Sequence, residues 1–290
     1  MNFNICIADI LNKNSETVFM NKLIVLAKNF ETPFTKRLIA EVRDCIFFNP
    51  WTDPGPQLPE SESVLLVRST AVYGADRDLE FLRKLGGNTR IINPLKALEI
   101  FRTKKTQYEF YLNQNIPHLP WLDLQNLSEQ EARNFIAKSS VKKFLIKPHR
   151  GQRGWGIRVF TPSEFFEWFQ STTDREFILQ PYLGEAREYR YFFIGHHYEK
   201  TLLRIKEEGR VAANFGQAGK AILVNTPKEI SEIVDKIKSL IDLDYGAIDI
   251  LFDQGQYWVL EVNLAPGVEQ LETVTRENVV RELLFFLKVI

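Results

Sequence analysis

The residues of this chain best suited to do chemistry lie in 245–267, YGAIDILFDQGQYWVLEVNLAPG. Ile248, Ile250, Phe252, Trp258, Leu260 and Val262 alternate with Asp249, Glu261 and Asn263, which predicts two half-buried strands. Between them Asp253, Gln254, Gly255 and Gln256 read as a turn, with Gly255 free to take a positive φ. A three-residue loop over 254–256 would set Asp253 opposite Tyr257 and Asp249 opposite Glu261. Glu261 and Asn263, two apart, share a face. Adjacent carboxylates in an apolar hairpin repel one another, and a hard cation with oxygen ligands relieves that conflict. Mg²⁺ carried with nucleotide phosphates is the common case. A solvated strand face that is polar by chance is the alternative, and the hairpin alone does not choose between them.

Other groups with chemical potential stand upstream. The stretch 149–156, HRGQRGWG, has glycines in the order GxxGxG between two strand signals. A dinucleotide-binding loop would instead open a helix, and Gly216–Lys220, GQAGK, falls short of a phosphate-binding Walker sequence. A glycine-rich hairpin can still cover phosphates with its N–H groups, although a plain flexible hairpin reads the same way. Lys147 ends the strand entering that loop, and Lys104 and Lys105 precede it. Gln180, Pro181, Tyr182 and Leu183 form a Pro-containing break whose backbone could meet a planar base. His118, His149, His196 and His197 are too scattered for a zinc set and read as solvated.

These groups require elements to hold them. Residues 1–93 alternate strand and helix signals: an apolar run over 3–10, helical spacing over 17–30, strands at 45–48, 63–67 and 89–92, and a helix over 76–85. The pattern argues for a small α/β lobe with a largely parallel sheet, interrupted by a Pro/Gly-rich loop at 53–63. Residues 94–115 read as one helical run ended by IPHLP. Helices are expected from Ser128, where Glu131 completes a capping box, over 161–170, over 228–243 and over about 269–287. Strands are expected at 143–147, 157–160, 176–183, 188–205 (folded at 195–197) and 220–224.

Composition removes several classes. Lys+Arg and Asp+Glu number 37 each, so no global charge directs the chain to nucleic acid or an anionic membrane. No apolar run reaches membrane-spanning length, and the N-terminus lacks a basic region ahead of an apolar core, so no signal peptide is expected. Cys6 and Cys45, both in apolar strand-like runs, read as buried free thiols in a reducing compartment, and the cytoplasm follows.

The order lysine, lysine with glycine loop, base-edge strand, acid, then Asp…Glu-x-Asn hairpin resembles the ATP-grasp superfamily, and within it the RimK-type carboxylate–amine ligases. The likeness covers about residues 90–290. It is carried by GAIDIL…YWVLEVNLAPGVEQLE, then FLIKPHRGQRGWGIRV, then IINPLKALEIFRTKKTQYEFYLNQNIPHLP; VLLVRST at 64–70 is compatible but unspecific. The resemblance implies that Asp249, Glu261 and Asn263 hold Mg²⁺ (with Mn²⁺ as a substitute), that Lys104 and Lys147 contact ATP phosphates, and that Gly151, Gly154 and Gly156 form a flap over them. Gln180, Pro181, Tyr182 and Leu183 would meet the adenine, with the Pro181 carbonyl and Leu183 N–H at its edge. Glu188 would take the ribose hydroxyls, and Asn214 matches a family asparagine. Arg190 and Arg204 would act as the catalytic cations.

Where the family reads R-S-N-x-x-R-G-G, this chain has Ala212, Ala213, Asn214, Phe215, Gly216, Gln217, Ala218 and Gly219. Both arginines are absent, leaving Arg210 or Lys220 as substitutes. The implied fold is α/β: an N-terminal pre-ATP-grasp lobe (1–93) and two α+β lobes (94–175 and 176–290) that clamp ATP. The implied reaction joins a carboxylate to an amine through an acyl phosphate, releasing ADP and phosphate. Partners would be ATP, a carboxylate substrate and an amine, with room for a homo-oligomer and no nucleic acid or membrane. A nucleotide-binding protein without turnover, and an ATP-grasp kinase, stay open at this point.

Overall fold

The computed structural model describes residues 22–42, 45–52, 63–68, 76–85, 89–151, 154–205 and 220–290. Four parallel strands begin it, in the order β2-β1-β3-β4: β1 (Lys22–Leu26), β2 (Cys45–Phe48), β3 (Ser63–Val67) and β4 (Thr89–Ile92). Helices α1 (Pro33–Glu41), α2 (Arg77–Arg83) and α3 (Leu95–Ile100) accompany them. Leu23, Val25, Val64 and Leu66 face one apolar cluster, while Ile24, Leu26, Leu65 and Val67 face another. A parallel sheet covered on both sides requires such unbroken apolar strands.

That requirement overturns the helix expected over 17–30, because residues 22–26 form the central strand β1. The helix of this region lies later, at α1, started by Thr32, whose side chain accepts from the Thr35 N–H, and by Pro33 in the first turn. The apolar run at 3–10, Cys6, and the loop at 53–62 fall outside the described residues. Cys45 is a free, half-buried thiol that burial pushes up to about 12.

The helical run over 94–115 divides into α3 and α4 (Lys104–Asn113), because Thr103 caps the second helix and exchanges hydrogen bonds with Thr106. A second sheet, β5-β8-β6-β7, follows: β5 (Leu122–Asp123), β6 (Phe144–Pro148), β7 (Arg158–Phe160) and β8 (Phe177–Pro181). Helices α5 (Glu129–Ala137) and α6 (Pro162–Ser171) cover it, each opened by a capping box, Ser128 with Glu131 and Thr161 with Glu164. Phe144 and Ile146 pack with Phe165 and Phe169 beneath them, so the alternate residues Leu145 and Lys147 face the other way.

The third sheet, β11-β10-β9-β12-β13, comprises β9 (Arg187–Ile194), β10 (Tyr198–Ile205), β11 (Lys220–Val224), β12 (Tyr245–Asp253) and β13 (Gln256–Asn263). Helix α7 (Lys228–Ile241) lays Ile230, Val234, Ile237 and Ile241 into the cluster of Tyr191, Phe193, Ile248 and Ile250. Phe192, Ile194, Leu202 and Ala247 belong to the opposite face. The single closing helix expected over 269–287 is two, α8 (Glu269–Thr275) and α9 (Val279–Phe286), parted where Arg276 turns left-handed at φ 65°. Buried Asn93 ties the first sheet to the third, donating to the Tyr245 carbonyl at 2.8 Å and accepting from the N–H groups of Asp244 and Tyr245. Among the described residues no helix is long and apolar enough to cross a membrane.

Candidate active site

The hairpin β12–β13 places Asp249 opposite Glu261, as its sequence predicts, but by a different route. The turn is two residues, Gln254 and Gly255, both with positive φ (47° and 83°), so Asp253 faces Gln256 rather than Tyr257. One residue too few in the turn is offset by one extra in β13: the register shifts between Asp249 and Ile250, where Val259 pairs with Ile250 and Glu261 with Asp249, leaving Leu260 as the bulge. Helix α4 satisfies the irregular backbone there. The Tyr108 hydroxyl lies 3.1 Å from the Leu260 carbonyl, and Gln107 Oε1 accepts from the Val262 N–H.

Register also sets the charges. Across the sheet, Glu261 of β13 stands opposite Asp249 of β12, which stands opposite Arg190 of β9. Arg190 donates from Nε and Nη2 to the two oxygens of Asp249, each at 2.6 Å. Glu188 faces Arg204 of β10 and accepts from its Nη1 at 2.7 Å. Lys104, the first residue of α4, reaches Glu261 at 2.8 Å, and its backbone N–H docks on the His149 carbonyl. Asn263 donates from Nδ2 to Asp249 at 3.2 Å. Asp249, Glu261 and Asn263 are therefore brought together, with their counter-charges supplied by Arg190 and Lys104.

Lys147 comes to the same cleft from the second sheet. Burial, and then the neighbouring Lys104 ammonium, push it down to about 8. Asp249 moves the other way overall. Burial raises its carboxyl, but the guanidinium groups of Arg190 and Arg204 outweigh that and hold it below the usual carboxylate range.

The cleft encloses about 1400 Å³. Lys104, Lys147, Gly151, Gly154, Gln180, Pro181, Tyr182, Leu183, Glu188, Arg190, Arg204, Asp249, Glu261 and Asn263 all line it. Gly156 is the member of the glycine loop that does not. It turns at φ 76° beneath the loop, where a Cβ would meet the Pro148 ring at 3.1 Å. Asn214 lies outside the described residues. Lys220, offered above as a substitute cation, begins β11 and lines the cleft. Leu145, which pairs with Gln180, and Ile157, Leu203 and Leu260 add apolar surface to the cleft lining. There Gln180 is buried, its Oε1 used by the Tyr108 hydroxyl at 3.2 Å and its Nε2 without a partner among the described residues.

Two sequence readings are corrected. Lys105 turns from the cleft to Asp123, at 2.6 Å. His149 is buried rather than solvated, with Nε2 2.9 Å from the same carboxylate. Sequence reasoning also passed over Arg150 and Arg102, which both grip Asp76 and so root the glycine loop on the first sheet's α2. Those pairs span tens of residues and leave no local pattern to read.

Three sheets closing on a cleft of this kind define the ATP-grasp ligase fold. Solved structures that share it include the ATP-grasp ligase PsnB in complex with minimal precursor, Mg and ADP, with a TM-score of 0.67 at 18% identity over 91% of this chain and 96% of that one. D-alanyl-alanine synthetase A from Vibrio cholerae O1 biovar eltor gives a TM-score of 0.66 at 14% identity over 92% of this chain and 98% of that one. The family model for the RimK-like ATP-grasp domain matches residues 103–287, and the chain belongs to that family. It is accordingly an enzyme of the ATP-dependent ligase class. A relative in Histophilus somni, the probable alpha-L-glutamate ligase, is 25% identical over 220 residues, covering 68% of this chain and 73% of that protein.

Proposed function

We propose that this enzyme joins a carboxylate to an amine at the expense of ATP, through an acyl phosphate. The observation that carries the reading is the self-neutralised cluster: Lys104, Arg190 and Arg204 each hold one of Glu261, Asp249 and Glu188 at the floor of one cleft. Phosphates would take the cations and a metal the acids, so a polyphosphate enters without stranding a buried charge. The donors Asp249, Glu261 and Asn263 are oxygens and an amide, which suits a hard divalent cation such as Mg²⁺. When bound, such an ion neutralises charge on the transferring phosphoryl group.

The chain's own residues then divide the work. Lys104, Lys147 and the N–H groups around Gly151 and Gly154 hold the phosphates. Leu145, Ile157 and Leu260 clasp the base, with the backbone of Pro181 and Leu183 and the Gln180 Nε2 at its edge. Glu188 turns from Arg204 to the ribose. Arg190 and Arg204 orient the reacting oxygens and offset the charge that grows on them. A substrate carboxylate oxygen bonds to the γ-phosphorus as the bond to the β,γ-bridging oxygen breaks, releasing ADP. The amine nitrogen then bonds to the acyl carbon, the carbon–oxygen bond to phosphate breaks, and the amine's proton passes to phosphate or solvent.

Residues 1–93, 94–175 and 176–290 would be the three lobes of this machine, working in a reducing cytoplasm. Residues 212–219 would set the amine. Lacking both family arginines, they offer little fixed charge to a second carboxylate, so a neutral or peptide-like amine is favoured over glutamate. A screen for ADP release over acids and amines tests the reading. The ligase requires both, whereas ADP with a stable phosphorylated product and no amine would mark a kinase. Tight ATP binding with no ADP under any combination would mark a nucleotide-binding protein without turnover and would overturn the reading.

A further inference from the structure

Strand β1 pairs with β2 on one side and β3 on the other, so the chain's direction of travel through the first sheet reverses between β1 and β3. Open α/β sheets take ligands at such a switch point, beyond the carboxyl ends of the strands. Arg68 follows β3 directly and Lys28 stands just past β1. Both line the cleft that also holds Lys104, Asp249 and Glu261, but they belong to the first sheet.

Arg68 is held in place. Its guanidinium lies 3.8 Å from the Phe34 ring centre, and Nη1 donates to the Pro266 carbonyl at 3.1 Å, an oxygen to which the Tyr245 hydroxyl also donates at 3.4 Å. Pro266 lies three residues beyond Asn263, so the brace stands on the turn that leaves the acid-bearing hairpin. A guanidinium has five N–H donors, and these contacts occupy only part of them. Arg190, Arg204 and Arg102 each hold a carboxylate, yet among the described residues none pairs with Arg68. The acidic side chain nearest in sequence to this turn is Glu269, whose Oε2 lies over Gly267.

We propose that Arg68 binds the carboxylate of the acid substrate. The acid would thus lie against the first sheet, facing nucleotide phosphates held by the other two. The assignment rests on the ligase reading for its context, but its test is separable. A pool of glutarate, N-acetylglutamate and N-acetyl-dialanine is mixed with protein and the magnesium complex of a non-hydrolysable ATP analogue, and binding is followed by saturation-transfer NMR. At least one acid should bind the parent. Arg68→Ala should weaken it about tenfold or more, the scale of lost charge-assisted hydrogen bonds. Calorimetric affinity for the nucleotide analogue should stay within about twofold, which also shows that the variant folds.

Equal acid binding in parent and Arg68→Ala, or no acid bound by the parent, overturns the assignment and leaves Arg68 as a brace between sheets. Loss of analogue affinity with acid binding retained would make Arg68 a phosphate ligand and likewise overturn it. Hydroxylamine and ATP added to the parent report separately on the ligase reading. Acid binding lost in Arg68→Ala, but no hydroxamate from the parent, would sustain the acid site while removing the ligase.

Discussion

Arg190 and Asp249 face each other on neighbouring strands and are joined by two hydrogen bonds of 2.6 Å, with Asp249 buried and Arg190 partly exposed to the cleft. The pair links the proposed catalytic cation to the proposed metal ligand before any substrate arrives. Its consequences can be measured.

Removing Arg190 leaves the buried Asp249 carboxylate with only the Arg204 guanidinium at 3.9 Å and the Asn263 amide at 3.2 Å. Arg190→Ala should destabilise the fold by about 3–5 kcal/mol in urea unfolding, whereas a joint Arg190→Met and Asp249→Leu replacement should recover most of that loss. A single variant within about 1 kcal/mol of the parent would show that solvent or rearrangement already screens the pair.

Lys147 gives the site a pH dependence of definite sign. Its ammonium, brought down to about 8 by burial and by Lys104, is increasingly neutral as pH rises through 8. Phosphate favours the charged form, so binding takes up a proton there, and ATP affinity should be full below about pH 8 and fall above it. Calorimetry in buffers of different ionisation enthalpy reads the proton directly. Lys147→Ala should cost about 1.5–3 kcal/mol of affinity and remove the proton uptake.

Glu261 is proposed to serve Lys104 in the free protein and the cation in the complex. Glu261→Ala should weaken Mg²⁺–ATP binding by at least about tenfold, the loss that even an outer partner of a metal ligand causes. With the 2.8 Å pair to Lys104 gone, ATP in EDTA should bind as tightly as to the parent or more so. Unchanged Mg²⁺–ATP affinity would remove Glu261 from the metal set.

Asn93 reaches across two sheets. Asn93→Ala leaves the N–H groups of Asp244 and Tyr245 and the Tyr245 carbonyl without their partner, at a cost of about 2–4 kcal/mol. A smaller loss in thermal or urea unfolding would mean that water fills the gap.

How much of this was legible in the sequence depends on the range of the physics involved. Alternation along 245–263, the caps at Ser128 and Thr161 and the fold of 188–205 on itself are local, and each lies where its residues predict. The opposition of Asp249 and Glu261 was legible although its construction was not: a turn one residue shorter and a bulge at Leu260 compensate, and α4 supplies the bonds that make the bulge tolerable. Residues 22–26 misled because KLIVL, buried on both faces, has no period to separate strand from helix. The ion pairs escaped notice because Arg190 and Asp249 are 59 residues apart, and Arg150 and Asp76 are 74 apart.

The central claim is that a carboxylate oxygen is phosphorylated and then displaced, and an isotope follows that oxygen. An active acid identified by the ADP screen is prepared with ¹⁸O in its carboxylate and incubated with ATP, Mg²⁺ and its amine partner. Mass spectrometry of the released phosphate should find one ¹⁸O for each amide formed. Unlabelled phosphate, or label retained in a stable phosphorylated product, would contradict the account.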